Sequence, residues 1–101
     1  MAIYMTARFT VRSESVETCQ QAIAAFVDYI TRNEPETRMY ISMQEAENNT
    51  SFLHFFIFEN EDAEIRHAKS EALKLFTEAV QSECLEPVKF TTYTLVSSTE
   101  E

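Results

Sequence analysis

His67 and His54 are the only histidines of this chain and its first candidates for moving a proton. An imidazole titrates near neutral pH, so it can take a proton from a phenolic hydroxyl and return it. His67 follows Asn60 by about two helical turns. It falls in register with Ala63, Ser70 and Phe76 rather than with the acidic Glu61, Asp62 and Glu64. There it is either a general base toward a bound molecule or a structural histidine bonded to Ser70, Glu64 or a partner subunit. His54 alternates with Phe52, Phe56 and Phe58, so it faces an aromatic layer. Burial among rings would lower its pKa and keep it neutral, which suits a base. The plainer reading is a core histidine with one hydrogen-bond partner.

Other side chains offer less. Arg8 lies on a strand that reads as central, and an unpaired guanidinium is costly to bury there. It either pairs with a carboxylate such as Glu45 across a dimer or binds an anionic substrate. Tyr40, with Tyr4 and Tyr93, can offer a hydroxyl to a cavity or bury its ring with the hydroxyl at an edge. Two histidines without suitably spaced carboxylates do not form the pattern of a zinc or non-haem iron site, so no metal is expected. Cys19 and Cys84 have no CxxC spacing and read as reduced structural thiols. The chain contains no glycine. A phosphate-cradling loop and a dinucleotide fingerprint are therefore excluded, and every turn must manage positive φ with Asn or Asp, or avoid it.

The elements that must hold these residues follow from periodicity. Ile3 to Val11 alternates as a strand with Ile3, Met5, Ala7, Phe9 and Val11 on one side. Ser13 or Ser15 can cap a helix carrying Val16, Cys19, Ile23, Phe26, Val27 and Ile30, which Asn33 can end in a left-handed conformation. Glu34-Pro35 begins the return, because the residue before proline is pushed out of the helical region. Met39 to Gln44 is a second strand, and Ser51 to Glu59 a third after a polar turn. Asn60 caps a second helical region bearing Ala63, His67, Ser70, Leu73, Phe76, Ala79 and Val80. Val88 to Val96 is the fourth strand. The order βαββαβ with right-handed crossovers predicts an α+β, ferredoxin-like arrangement: a four-stranded antiparallel sheet with its helices on one face and the first and third strands central.

The third strand is apolar on both sides. A strand reads so only when both sides are covered, and the helices of a chain this short cover one. The other is expected to meet a second sheet in a homodimer. Which side meets the helices is left open, and that choice decides whether His54 lies in a pocket or at the dimer interface.

Composition narrows the partners. The 101 residues make one domain, with a core at about 3–96 and an acidic tail at 97–101. A net charge of −9, from 17 acids and 8 bases, disfavours nucleic acid and anionic membrane surfaces. No run is apolar for long enough to span a bilayer, and no basic region precedes an apolar one at the N-terminus, so a cytoplasmic location is expected.

Ala7-Arg8-Phe9, Glu34-Pro35 followed by Tyr40, the phenylalanine-rich third strand, and Asn60-x-x-Ala63-x-x-x-His67-x-x-Ser70 with Phe76 together resemble the antibiotic biosynthesis monooxygenase (ABM) domain. The resemblance covers about Ile3 to Val96. It implies a dimeric α+β barrel with a pocket in each subunit between sheet and helices. It also implies membership of a group containing cofactor-independent oxygenases of quinol-like substrates and haem-degrading enzymes. Glu36 stands where the family usually has glycine, and Phe56 and Phe58 where it often has Glu-x-Trp. Glu71 or Ala72 replaces a second histidine. The haem-degrading branch relies on tryptophan, which is absent here, so haem is disfavoured and no cofactor is expected. On this resemblance the chain is expected to be a cofactor-independent monooxygenase of a small aromatic, quinol-like substrate. His67 and His54 would handle the proton, and Phe52, Phe56 and Phe58 would stack on the substrate beside Tyr40 and Arg8. The alternative is a non-catalytic ligand-binding or dimerisation module of the same fold.

Overall fold

In the computed structural model, which describes residues 1–100, four strands pair antiparallel in the order β2-β3-β1-β4. They are β1 (Ile3–Thr10), β2 (Thr37–Gln44), β3 (Ser51–Phe58) and β4 (Lys89–Tyr93). Glu101, the end of the expected acidic tail, lies outside the described residues. The first and third strands are central, as the alternation requires. The register opposes Met5 to Phe56 and Ala7 to His54, and sets Thr6 against Phe55 and Arg8 against Leu53. Side chains alternate across a strand, so the first pairs lie on the inner face and the second on the outer.

Helices α1 (Val16–Asn33), α2 (Glu61–Ala68) and α3 (Glu71–Gln81) supply the second layer. Cys19, Ile23, Phe26 and Ile30 form the buried stripe of α1. Buried residues gather in two groups. Phe9, Val11, Cys19, Ile23, Phe52 and Val80 pack at one end of the inner face. Ala7, Phe56, Phe58 and Ala63 pack at the other. Fully burying a phenylalanine contributes about 2–3 kcal/mol, so Phe9, Phe26, Phe52, Phe56 and Phe58, all buried, are main supports of the layer.

Local details depart from the expectations in four places. The second helical region is two helices, because Ser70 adopts φ −71° and ψ 145° and its hydroxyl accepts from the Leu73 amide at 3.0 Å. Ser15 makes no cap bond; its hydroxyl goes to Glu83 instead. Asn33 remains helical, and its side-chain amide donates to the Tyr29 carbonyl at 3.0 Å. No described residue has positive φ. The turns of this glycine-free chain therefore avoid that region altogether. The fourth strand is also shorter than the apolar pattern, since its residues after Tyr93 leave the sheet.

The outer face carries Met39, Ile41 and Met43, which are 42%, 40% and 45% exposed. They stand opposite Ile57, Phe55 and Leu53 of β3. An apolar patch of this kind is unusual on a monomer. None of the described helices is long and apolar enough to cross a membrane.

Candidate active site

Between the two buried groups the inner face opens into a cavity of about 430 Å³. The strands present Tyr40 from β2, His54, Phe56 and Phe58 from β3, and Met5, Ala7 and Phe9 from β1. His67 reaches it from α2, Phe76 and Val80 from α3, and Val88 and Phe90 from the closing segment. Even-numbered residues of β3 thus face the helices, which puts His54 in the cavity rather than on the outer face. No lysine or arginine is among the described lining residues.

The two imidazoles are held by different partners. His67 is buried, with Nδ1 2.8 Å from Glu34 Oε1. The same oxygen accepts from the Thr37 hydroxyl at 2.8 Å. Glu34 reaches this point because α1 ends there and Pro35 turns the chain into β2. Its other oxygen, Oε2, is buried without a partner among the described residues. His54, 1% exposed, has Nδ1 2.6 Å from the Tyr40 hydroxyl. Its Nε2 is buried and unpartnered among the described residues. Burial lowers the His54 pKa from 6.5 to about 4, so its ring is neutral at pH 7. The Tyr40 hydroxyl is pushed well above its ordinary range, by burial first and then by the Glu34 charge.

Aromatic rings fix the imidazoles in place. Tyr40 stacks on Phe56 with centroids 5.0 Å apart and meets the His54 ring edge-on at 5.3 Å. Phe26 stacks on Phe76 at 4.8 Å and lies 5.5 Å from His67. Phe58 stands 5.0 Å from His67. A planar aromatic ligand would find ring faces and edges here, with the polar side chains of the lining being the two imidazoles, the Tyr40 hydroxyl, Glu64, Thr77 and Gln81.

The sequence profile of the antibiotic biosynthesis monooxygenase family matches residues 2–79. The chain belongs to that family. Solved structures of similar shape include a protein assigned as an antibiotic biosynthesis monooxygenase from Bacteroides thetaiotaomicron. It has a TM-score of 0.90 and 15% identity, over 99% of this chain and 94% of that one. Rv0793 from Mycobacterium tuberculosis has a TM-score of 0.87 and 19% identity, over 99% and 100% of the chains. SnoaB, a cofactor-independent oxygenase from Streptomyces nogalater, has a TM-score of 0.83 and 15% identity, over 99% and 98%. At such identities the likeness concerns the fold. A comparison with curated proteins returned no match.

Within this ABM chain, His67, His54, Tyr40, Phe56 and Phe58 of the expected site line one cavity. Phe52 does not line it; it is buried in the neighbouring group, stacked on Phe9 at 5.4 Å. Arg8 is also elsewhere. It projects from the outer face and meets Glu45 of its own chain at 3.4 Å, both side chains about half exposed. That pair is neither across a dimer nor near the cavity, because even positions of β1 face away from the helices. His67 bonds Glu34 rather than Ser70 or Glu64. Sequence reasoning missed Glu34 as a site residue. Glu34-Pro35 marked the return of the chain, but nothing along the sequence ties it to a histidine 33 positions later.

Proposed function

We propose that this ABM-family chain is a cofactor-independent monooxygenase acting on a small, uncharged aromatic hydroxyl compound. The observation that supports it is His67, whose Nδ1 is anchored on Glu34 at 2.8 Å inside an apolar, ring-lined cavity. A carboxylate behind one ring nitrogen orients the imidazole and stabilises the proton it takes up. The His67 Nε2 removes the substrate's hydroxyl proton. The resulting anion is electron-rich at ring carbon and reduces dioxygen in one-electron steps until a carbon–oxygen bond forms. The oxygen–oxygen bond then breaks. One oxygen atom stays on carbon as a carbonyl, and the other leaves as water with the two hydrogens lost by the substrate. His67 returns its proton to that departing oxygen. Phe56, Phe58 and Tyr40 hold the ring and keep water from the anion.

Oxygen uptake with a panel of hydroquinones and hydroxynaphthalenes tests the reading. His67→Ala is expected to lower kcat about a hundredfold or more. Uptake no faster than autoxidation, or unaffected by that change, would defeat it in favour of a ligand-binding or dimerisation module without catalysis. No haem is part of this proposal, since propionates would find no cation among the described lining residues. Adding haem is expected to leave its Soret band unshifted.

The reading also includes a cytoplasmic homodimer. Its support is the outer face, where Met39, Ile41 and Met43 flank Leu53 and Phe55. Two copies pressing these faces together would take the patch out of water.

A further inference from the structure

We infer that the cavity is polarised: His67 and His54 are locked in opposite tautomers, and together they select a ligand carrying a hydroxyl for one and a carbonyl for the other. This deepens the proposed function and takes from it only that the cavity binds an uncharged aromatic molecule.

The assignment follows from donors and acceptors. Glu34 Oε1 is a carboxylate oxygen already accepting from Thr37, and it can only accept from His67. The His67 proton therefore resides on Nδ1, and in the neutral ring Nε2 is left with a lone pair. That atom can accept a hydrogen bond from a ligand hydroxyl. Around His54 the order is reversed. The Tyr40 hydroxyl has no acceptor among the described residues other than His54 Nδ1, at 2.6 Å. A phenol is the stronger acid of the pair and an imidazole nitrogen the stronger base, so the hydroxyl donates. The proton of the neutral His54 ring, which packs beside Phe9 and Phe76, is then on Nε2, buried with nothing to accept it among the described residues. A buried donor without an acceptor is costly, and a carbonyl or similar oxygen supplied by a ligand removes that cost. Tyr40 is thus a positioning residue, acting through His54.

The class selected is an uncharged aromatic hydroxy-carbonyl compound. The absence of lysine and arginine from the described lining disfavours carboxylates and phosphates. Glu64 on the rim adds to that exclusion.

Two measurements on the whole protein test the inference. Long-range nitrogen–proton correlation spectra resolve both imidazoles, because the chain has two histidines. In their neutral forms, His54 is expected to carry its proton on Nε2 and His67 on Nδ1. Binding is then measured for hydroxytetralones against three relatives: tetralone without the hydroxyl, hydroxytetralin without the carbonyl, and methoxytetralones that cannot donate. Each is expected to bind about tenfold more weakly than the best hydroxytetralone. In Tyr40→Phe the His54 ring should populate both tautomers, and the penalty for lacking the carbonyl should shrink while that for lacking the hydroxyl persists. Equal tautomers in the two rings, a reversed assignment, indifference to the carbonyl, or no binding by any member overturns the inference. The predicted binding order without oxygen uptake defeats the oxygenase reading and leaves this one standing. Uptake that needs His67 while binding ignores the carbonyl does the reverse.

Discussion

A histidine kept neutral by burial makes folding depend on pH, and His54 is such a residue. Its pKa of about 4 in the folded chain lies below the ordinary 6.5. Between those values the unfolded chain binds the proton and the folded chain does not. Stability is therefore complete above pH 6.5 and falls as pH drops toward 4, a loss of about 3 kcal/mol at full extent. Urea denaturation at fixed protein concentration, compared between wild type and His54→Gln, should show that slope in the first and a flatter one in the second. Glu34 makes a kinetic prediction. Glu34→Gln keeps the volume but removes the charge behind His67, and should lower kcat about tenfold with little change in KM. Both histidines were legible in the sequence by type and register. Glu34 was not, because a carboxylate at the end of α1 meets α2 only through the fold.

At the scale of elements, the break between α2 and α3 sets where the cavity's helical wall turns. Asn60 caps α2, accepting from the Ala63 amide at 2.9 Å, and Ser70 caps α3 in the same way. Ser70→Ala should cost about 1 kcal/mol, read as a lower denaturation midpoint with an unchanged m-value. The first cap was readable, since asparagine precedes three acids and an apolar stripe. The second was silent. Ala63, His67, Ser70 and Leu73 keep helical spacing across the break, so periodicity alone describes one helix. The isolated pairing of Val11 with Cys84 was equally hidden. It joins the end of β1 to the loop after α3 and depends on no local pattern.

The whole molecule was the most legible scale. The order of elements and the doubly apolar third strand together specify the four-stranded sheet with β1 and β3 at its centre. The sheet's outer face gives the assembly prediction. Ile41 is 40% exposed within one chain, so Ile41→Asp should leave the subunit folded. It should turn a sedimenting dimer into a monomer; a wild-type monomer at micromolar concentration would end the homodimer proposal. The backbone has a further use. With no glycine in the sequence and no described residue at positive φ, no turn depends on a missing Cβ. Systematic truncation to alanine along this chain should therefore report what each side chain contributes, largely free of the conformational penalties that confuse such surveys at glycine-dependent bends.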